Sequence, residues 1–317
     1  MLPLPEFSFH SPRTIEEALG LLARPDTMII AGGTDLLPNM KQGLRAPAQL
    51  VSLQHLVELR GIHVEEKVIV VGAMTPLAAV AEHEALQRDA TALAEAAGTV
   101  GGPHHRRMGT LGGNLCLDTR CRYYNQSQFW RNALGFCLKK DGEVCHVVEG
   151  GKKCVAAASN DTAAAAIALE AVLVIQSANG VRRVPAGEFF IADGTRNIAI
   201  TRDELLIALE VPRVAKRVSA YEKLRRRGAI DFPLLSVAVR VDGAQAEVVV
   251  SALAAKPRRI NGAQKLLATQ VEEISAAAAR ECNPMPNIDG DVAWRKQMVR
   301  VMVKRALCRV LSGEKRT

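Results

Sequence analysis

Five of the seven cysteines in this 317-residue chain fall between positions 116 and 154, in a stretch where neither strand nor helix periodicity can be traced. A segment of that kind offers no apolar face to bury, so something other than a core must hold it. The start of the chain, MLPLPEFSFHSPRTIEEA, has no basic stretch followed by an apolar run. A cytoplasmic location is therefore expected, and there crowded thiols read as metal ligands before disulfides. Cys121, Cys137, Cys145 and Cys154 are spaced C-x15-C-x7-C-x8-C, unlike the C-x2-C knuckles of common zinc sites or the tight runs of bacterial ferredoxins. Four such thiolates suit a tetrahedral zinc ion or a 4Fe-4S cube, and residue types alone lean toward zinc.

On either side of this excursion the pattern is regular. Residues 14–24 open on a capping box, Thr14 with Glu17, and set Ile15, Leu19 and Leu22 on one helical face. A brief strand over 27–30 runs into AGGTDLLPNMKQG at 31–43. A hairpin is expected over 64–71, alanine-rich helices over 76–88 and 90–97, and a second glycine region, GTVGGPHHRRMGTLGGNL, over 98–115. Past the cysteines come a helix over 161–169, strands over 172–176 and 181–184 joined across Asn179-Gly180, and a strand over 205–211. A linker at 212–217 precedes strands over 236–241 and 246–252. The last helix, 291–311, turns Val299, Val303, Ala306 and Val310 inward. The architecture expected is α+β, in at least two parts.

The net charge of +8 raises nucleic acid as a partner, but the basic residues are scattered and aromatics make up only 4%. No base-stacking surface can be built from that. No run of about 18 apolar residues offers a membrane span. A Ser-His-Asp triad, an H-E-x-x-H helix and a nucleophile elbow are all missing from the sequence, which argues against hydrolytic chemistry in this chain.

The two glycine regions carry the binding chemistry. Glycine lets backbone N–H donors approach a pyrophosphate closely because no Cβ intervenes, and Gly32, Gly33 and Thr34 can form such a cradle. Taken alone, a strand followed by AGGT also reads as a tight structural turn. Neither region fits G-x-G-x-x-G opening a long helix, which disfavours a nicotinamide Rossmann site.

AGGTDLL at 31–37 followed by MGTLGGNL at 108–115 resembles the FAD domain of the flavoprotein subunits of xanthine and carbon monoxide dehydrogenases. The resemblance implies a two-part FAD-binding (PCMH-type) domain over 1–215 and a small α+β C-terminal domain, an antiparallel sheet with helices, over 216–317. It further implies that Ile29, Ile30, Ala31, Gly32, Gly33, Thr34, Asp35 and Leu36 wrap the FAD together with Thr110, Leu111, Gly112, Gly113 and Asn114, and that Val100 lies against the flavin. SNDTAAAAIAL resembles the family's acidic loop and helix, which puts Asp161 on FAD hydroxyls or adenine; on residue type alone it is equally a helix N-cap. YEKLRRRGAIDFPLLSVA resembles the start of the C-terminal domain, where Lys223 approaches the flavin, although a lone strand lysine is more often solvated.

The insertion at 116–157 carries a second resemblance. GGNLC, DTRC, YYNQS, FCLK and CHV resemble 4-hydroxybenzoyl-CoA reductases, in which this loop binds a 4Fe-4S cluster. That implies Cys121, Cys137, Cys145 and Cys154 as its ligands, with Cys116 a packed thiol and Cys282 and Cys308 structural. It implies an electron-relay subunit taking electrons from ferredoxin and passing them to partner subunits that hold 2Fe-2S clusters and a molybdenum cofactor, assembled as a dimer of heterotrimers. The histidines His104, His105 and His146 are expected to be hydrogen-bonding residues without chemistry. Two other readings remain open: a relative acting on a different substrate, and a non-redox scaffold stapled by zinc.

Overall fold

Alternating short strands and amphipathic helices build three sheets in chain order in the computed structural model, which describes residues 3–261 and 270–313. The first is parallel, β1 (Ser8–His10), β2 (Thr27–Ile30) and β3 (Gln49–Ser52), in the order β1-β3-β2. Helix α1 (Ile15–Leu22) crosses from β1 to β2. It starts where the sequence expects, with the Thr14 hydroxyl accepting from the Glu17 N–H at 3.2 Å. Its Ala18, Leu19 and Leu22 pack on Val51, Leu53 and Leu56. Helix α2 (Leu36–Lys41) leaves the first glycine turn.

The second sheet is antiparallel, built from β4 (Ile62–Val64), β5 (Val68–Gly72), β6 (Val172–Ser177), β7 (Gly180–Pro185) and β8 (Leu205–Pro212). Its order is β4-β5-β8-β6-β7, so chain on both sides of the cysteine region meets in one sheet. The single helix expected over 76–88 is instead two, α3 (Leu77–Glu82) and α4 (Glu84–Asp89), broken where His83 turns to ψ 120°. A straight helix would point Val80 and Leu86 in different directions; the break lets Leu77, Val80, Ala85 and Leu86 all enter the core. Helix α5 (Thr91–Gly98) follows. The second glycine region holds two short helices, α6 (Pro103–Met108) and α7 (Leu111–Leu115). The cysteine stretch is irregular, as expected, except for α8 (Gln128–Ala133), which the Ser127 hydroxyl caps.

Helix α9 (Asp161–Ala168) is buried along its whole length. Its alanines leave so little side chain that α5 and α7 and the strands of the third sheet can all pack against it. After α10 (Ala186–Phe189), that third sheet is antiparallel, β9 (Val218–Leu224), β10 (Leu235–Asp242), β11 (Gln245–Ser251) and β12 (Arg258–Arg259), in the order β12-β11-β10-β9. Strand alternation divides it cleanly. Tyr221, Ala238 and Val249 join the core around α9. Leu235, Val237 and Val239 pack instead with α11 (Val271–Glu281) and α12 (Val292–Ser312), whose Val299, Val303, Ala306 and Val310 are buried as expected. Cys282 lies in this core, as its structural reading expects, but Cys308 is exposed on α12, which corrects its reading as structural. Among the described residues, no helix is long and apolar enough to cross a membrane.

The third sheet is tied to α12 by a buried arginine. Arg295 donates to the carbonyls of Leu234 at 3.0 Å, Met285 at 2.8 Å and Ala252 at 2.8 Å, and desolvation lowers its pKa to about 10. Replacing it by methionine keeps the volume and orphans three acceptors, each costing on the order of 1 kcal/mol or more. Arg295→Met is expected to lower the unfolding free energy by about 3 kcal/mol in urea denaturation; a loss below about 1 kcal/mol would mean that water reaches those carbonyls.

Candidate functional site

The two glycine turns meet backbone to backbone. A Cβ on Gly32 would stand 1.9 Å from the Met108 carbonyl oxygen, so only glycine lets the loop after β2 close on the chain before α7. Gly33 takes a left-handed φ of +68° to turn the chain into α2. The seam between the loops opens into a cleft of about 1070 Å³, roomy enough for a dinucleotide cofactor. Of the residues expected on FAD, it is lined by Ile29, Ala31, Gly32, Gly33, Thr34, Asp35, Leu36, Val100, Thr110, Gly112, Gly113, Asn114 and Asp161. Leu111 is fully buried and packs into the core instead, and Ile30 and Lys223 do not line the cleft.

The two turns offer a ligand different things. Among the described residues, no protein acceptor receives the N–H groups of Gly32, Gly33 or Thr34, which leaves three donors at the cleft wall. Four donors of the second turn are already used. Leu111 and Gly112 bond the carbonyls of Thr75 and Ala73 at 3.0 and 2.8 Å, Asn114 bonds Thr110, and Gly113 bonds the Thr110 hydroxyl. The second turn therefore acts as a wall of fixed shape.

Asp161, the first residue of α9, carries a fully buried carboxylate. It accepts from the Lys223 ammonium at 2.9 Å and from the Tyr221 hydroxyl at 2.6 Å, and Lys223 also donates to the Thr99 carbonyl at 3.1 Å. Lys223 and Tyr221 lie two apart on β9 and so share a face. The Lys223 side chain is 0% exposed, which overturns its reading as a solvated lysine. The N-cap reading of Asp161 fails too, because Asn160 holds that position. Burial pushes the Asp161 carboxyl up and the Lys223 ammonium down, each against the pull of the other's charge.

Cys121, Cys137, Cys145 and Cys154 line one small cavity, together with Tyr123, Tyr124, Leu138, Lys139, His146 and Val147. Cys116 lines the cleft instead, and burial pushes its thiol up to about 12. Burial likewise pushes Cys121 up to about 11 and raises Cys154. Among the described residues, no three His, Cys, Asp or Glu side chains gather closely enough to hold a single metal ion. The four cysteines are thus grouped around one space yet stand apart from one another. His146 makes a 2.5 Å contact with the Phe136 carbonyl and packs near Tyr123, in keeping with a hydrogen-bonding role. His105 lines the cleft as well.

A carboxylate that sequence reasoning passed over joins the two spaces. Asp118 lines the cleft and accepts from Arg45 at 2.8 Å, from the Tyr124 hydroxyl at 3.2 Å and from Lys139 at 2.7 Å; Tyr124 and Lys139 line the cysteine cavity. Burial opposes its charge, but Lys139 and Arg45 beside it hold the carboxyl below its usual range. Arg120 fastens the insertion to the cleft wall. It bonds Asp35 of the first turn at 3.0 Å and lies 4.0 Å over the Phe232 ring. Gly194, outside the cysteine region, backs the cavity, since a Cβ there would stand 2.7 Å from the Cys154 sulfur. Asp118, Arg120 and Lys139 stand in the DTRC and FCLK elements of the sequence, where only the cysteines drew notice; nothing in the local sequence marks Gly194.

Comparison with known proteins agrees with this geometry. The family described as the FAD binding domain in molybdopterin dehydrogenase matches residues 5–214, and the CO dehydrogenase flavoprotein C-terminal domain matches residues 219–310. The carbon monoxide dehydrogenase medium chain of Hydrogenophaga pseudoflava is 31% identical over 97% of this chain and 97% of its own. The xanthine dehydrogenase FAD-binding subunit of Escherichia coli O157:H7 is 25% identical over 96% of each. A solved structure of carbon monoxide dehydrogenase from Hydrogenophaga pseudoflava superposes with a TM-score of 0.78 at 28% identity, covering 98% of this chain and 99% of the other. The chain belongs to the FAD-binding subunits of the xanthine dehydrogenase and carbon monoxide dehydrogenase family of molybdenum-containing oxidoreductases.

Proposed function

We propose that this chain is the FAD- and 4Fe-4S-carrying subunit of a 4-hydroxybenzoyl-CoA reductase, relaying electrons from a reduced ferredoxin toward 2Fe-2S and molybdenum centres on partner subunits. The observation that carries this reading is the convergence of four cysteines of the insertion on one cavity beside the flavin cleft. Four thiols facing one space are a donor set that a 4Fe-4S centre takes, as a tetrahedral zinc does, and the resemblance of the insertion favours the cluster. FAD exchanges single electrons and electron pairs, which suits a place between one-electron carriers and a two-electron reduction.

The residues of the chain then hold and insulate. The free N–H groups of Gly32, Gly33 and Thr34 would receive the FAD pyrophosphate, with the rest of Ile29 to Leu36 and the wall from Thr110 to Asn114 on either side. Val100 would border the flavin. Asp161 would reach the cofactor's hydroxyls or adenine, with Lys223 fixing the carboxylate's charge from behind. The relatives bear the names of medium chains and FAD-binding subunits, which supports an assembly with separate molybdenum and 2Fe-2S subunits, proposed as a dimer of heterotrimers. A cytoplasmic setting is part of the same proposal. Those relatives also differ in their named substrates, carbon monoxide and xanthine among them. A hydroxylase of another substrate therefore fits the fold equally well, and the thioester substrate rests on the insertion alone.

The purified complex should reduce 4-hydroxybenzoyl-CoA with a low-potential one-electron donor. Turnover of xanthine, nicotinate or carbon monoxide in its place would reassign the substrate and leave the subunit's role intact.

The isolated chain should show flavin absorption with a broad iron–sulfur shoulder and about four irons per polypeptide. Cys137→Ser should remove most of the iron. It should leave most of the flavin, because the neck of the insertion is held by backbone bonds between Arg120 and Ala157 at 2.9 and 2.7 Å that need no cysteine. A colourless, zinc-bearing protein would end the proposal.

Gly32→Ala should lower the flavin-to-protein ratio by about tenfold or more, because its Cβ would drive the two turns apart at the Met108 carbonyl. Full flavin occupancy in that variant would show that the cofactor binds elsewhere.

A further inference from the structure

Lys139 presents a buried positive charge that the outline above leaves unused. Its side chain is 4% exposed. Three oxygens fix its ammonium: Asp118 at 2.7 Å, the Thr119 hydroxyl at 2.6 Å and the Gly194 carbonyl at 2.5 Å. The ammonium also lies 4.8 Å from the centre of the Tyr124 ring. A neutral donor could satisfy the Thr119 and Gly194 oxygens, and burying a charge is costly unless the charge is needed. The residue lines the cysteine cavity, and the Gly194 that receives it packs directly on the Cys154 sulfur.

We propose that Lys139 raises the electron affinity of the centre held by the four cysteines, and that Asp118 tempers it. This rests on the reading of those cysteines as a 4Fe-4S site. The physical step is one of charge. A single electron leaves a reduced ferredoxin-type carrier, which is oxidised, and enters the centre, which is reduced. No bond to a proton forms, so the centre becomes one unit more negative. A fixed cation beside it stabilises that added charge, and a fixed anion opposes it. Lys139 is thus a positioning and tuning residue that exchanges no electron itself.

The shared carboxylate extends the effect across the wall. Asp118 faces the flavin cleft and is held there by Arg45 at 2.8 Å. A charge change on Lys139 is therefore felt on the cavity side first and reaches the cleft side through Asp118, whereas one on Asp118 acts on the cleft side directly. The ordering follows from position, because Lys139 lines the cavity and not the cleft.

The test is a low-temperature EPR redox titration of the whole complex, wild type against Lys139→Met and Asp118→Asn, with iron and flavin content measured on the same samples. Lys139→Met should weaken reduction of the 4Fe-4S centre by about tenfold, a shift of about 59 mV to more negative potential for one electron. Asp118→Asn should move it to more positive potential. A structural role alone predicts no such opposition of sign. Equal potentials in all three proteins, or shifts of the same sign in both variants, would overturn the inference while leaving the cluster in place. Should Lys139→Met lose its iron, Lys139→Arg decides together with Asp118→Asn: retention of the wild-type potential by the arginine variant, with a positive shift in the asparagine one, supports the tuning role, and any other combination refutes it. Wild-type protein without iron would defeat the cluster reading itself.

Discussion

The cleft depends on a charge pair buried in its wall. Asp161 and Lys223 come from different parts of the chain, one opening α9 and the other on β9 of the third sheet, and each is the other's main reason for remaining ionised. Such a pair adds little net stability over an apolar substitute, but removing one member is costly because the other is left buried and uncompensated. Its value lies in register. Tyr221 and Lys223 reach the same carboxylate from one face of β9, so a slip of the strand by one residue would turn both away. Helix α9 can deliver Asp161 to this depth only because its alanines let helices and sheet close around it.

The glycines of the two turns serve two different ends. At Gly32 the missing Cβ makes room for protein, namely the Met108 carbonyl; Gly112 does the same against Ala73, where a Cβ would stand 2.8 Å from its side chain. Most of the second turn's donors are used within the protein, while the first turn keeps those of Gly32, Gly33 and Thr34 for the cleft. A glycine-rich motif can thus be divided into residues that build the cleft and residues that face its ligand, and the hydrogen-bond accounting separates them where the motif alone does not.

Much of this was legible because local rules and tertiary demands agree. Thr14 with Glu17, the strand into Gly32, the Asn179-Gly180 hairpin and the inward face of α12 all carry signals confined to a few residues, and the structure follows each. Reading failed where distance in sequence matters. The break at His83 answers a core that wraps around both α3 and α4. The burial of Lys223 depends on Asp161, and the closeness of Gly194 to Cys154 depends on a chain excursion of 40 residues. Asp118 and Lys139 were visible as letters beside cysteines, yet their meeting, and the sharing of a wall between two spaces, is a property of the folded insertion.

That wall also explains how a segment whose own buried cluster is as small as Cys121, Tyr124, Cys137, Cys154 and Ala156 around Leu44 can be carried at this point in the chain. The structure that surrounds the insertion is bridged directly across its base. Asn114 of α7 accepts from Thr162 of α9 at 3.0 Å through the backbone and 2.6 Å through the hydroxyl, and Asn160 donates to the Leu115 carbonyl at 3.1 Å. Arg120 and Ala157 then close the neck with two backbone bonds. With its ends pinned together, a long excursion adds little further closure entropy per residue. Among its contacts outward, Arg131 on the carbonyls of Gln42 and Gly43, Arg120 on Asp35 and Asp118 on Arg45 reach the first glycine turn or the chain just after it, while Lys139 and Thr119 bond the Gly194 carbonyl and the Arg122 N–H bonds the Asn287 carbonyl. The insertion is therefore fastened to the piece of the protein that offers free donors to the cleft, and whatever fills the cysteine cavity is held in fixed relation to whatever fills the cleft.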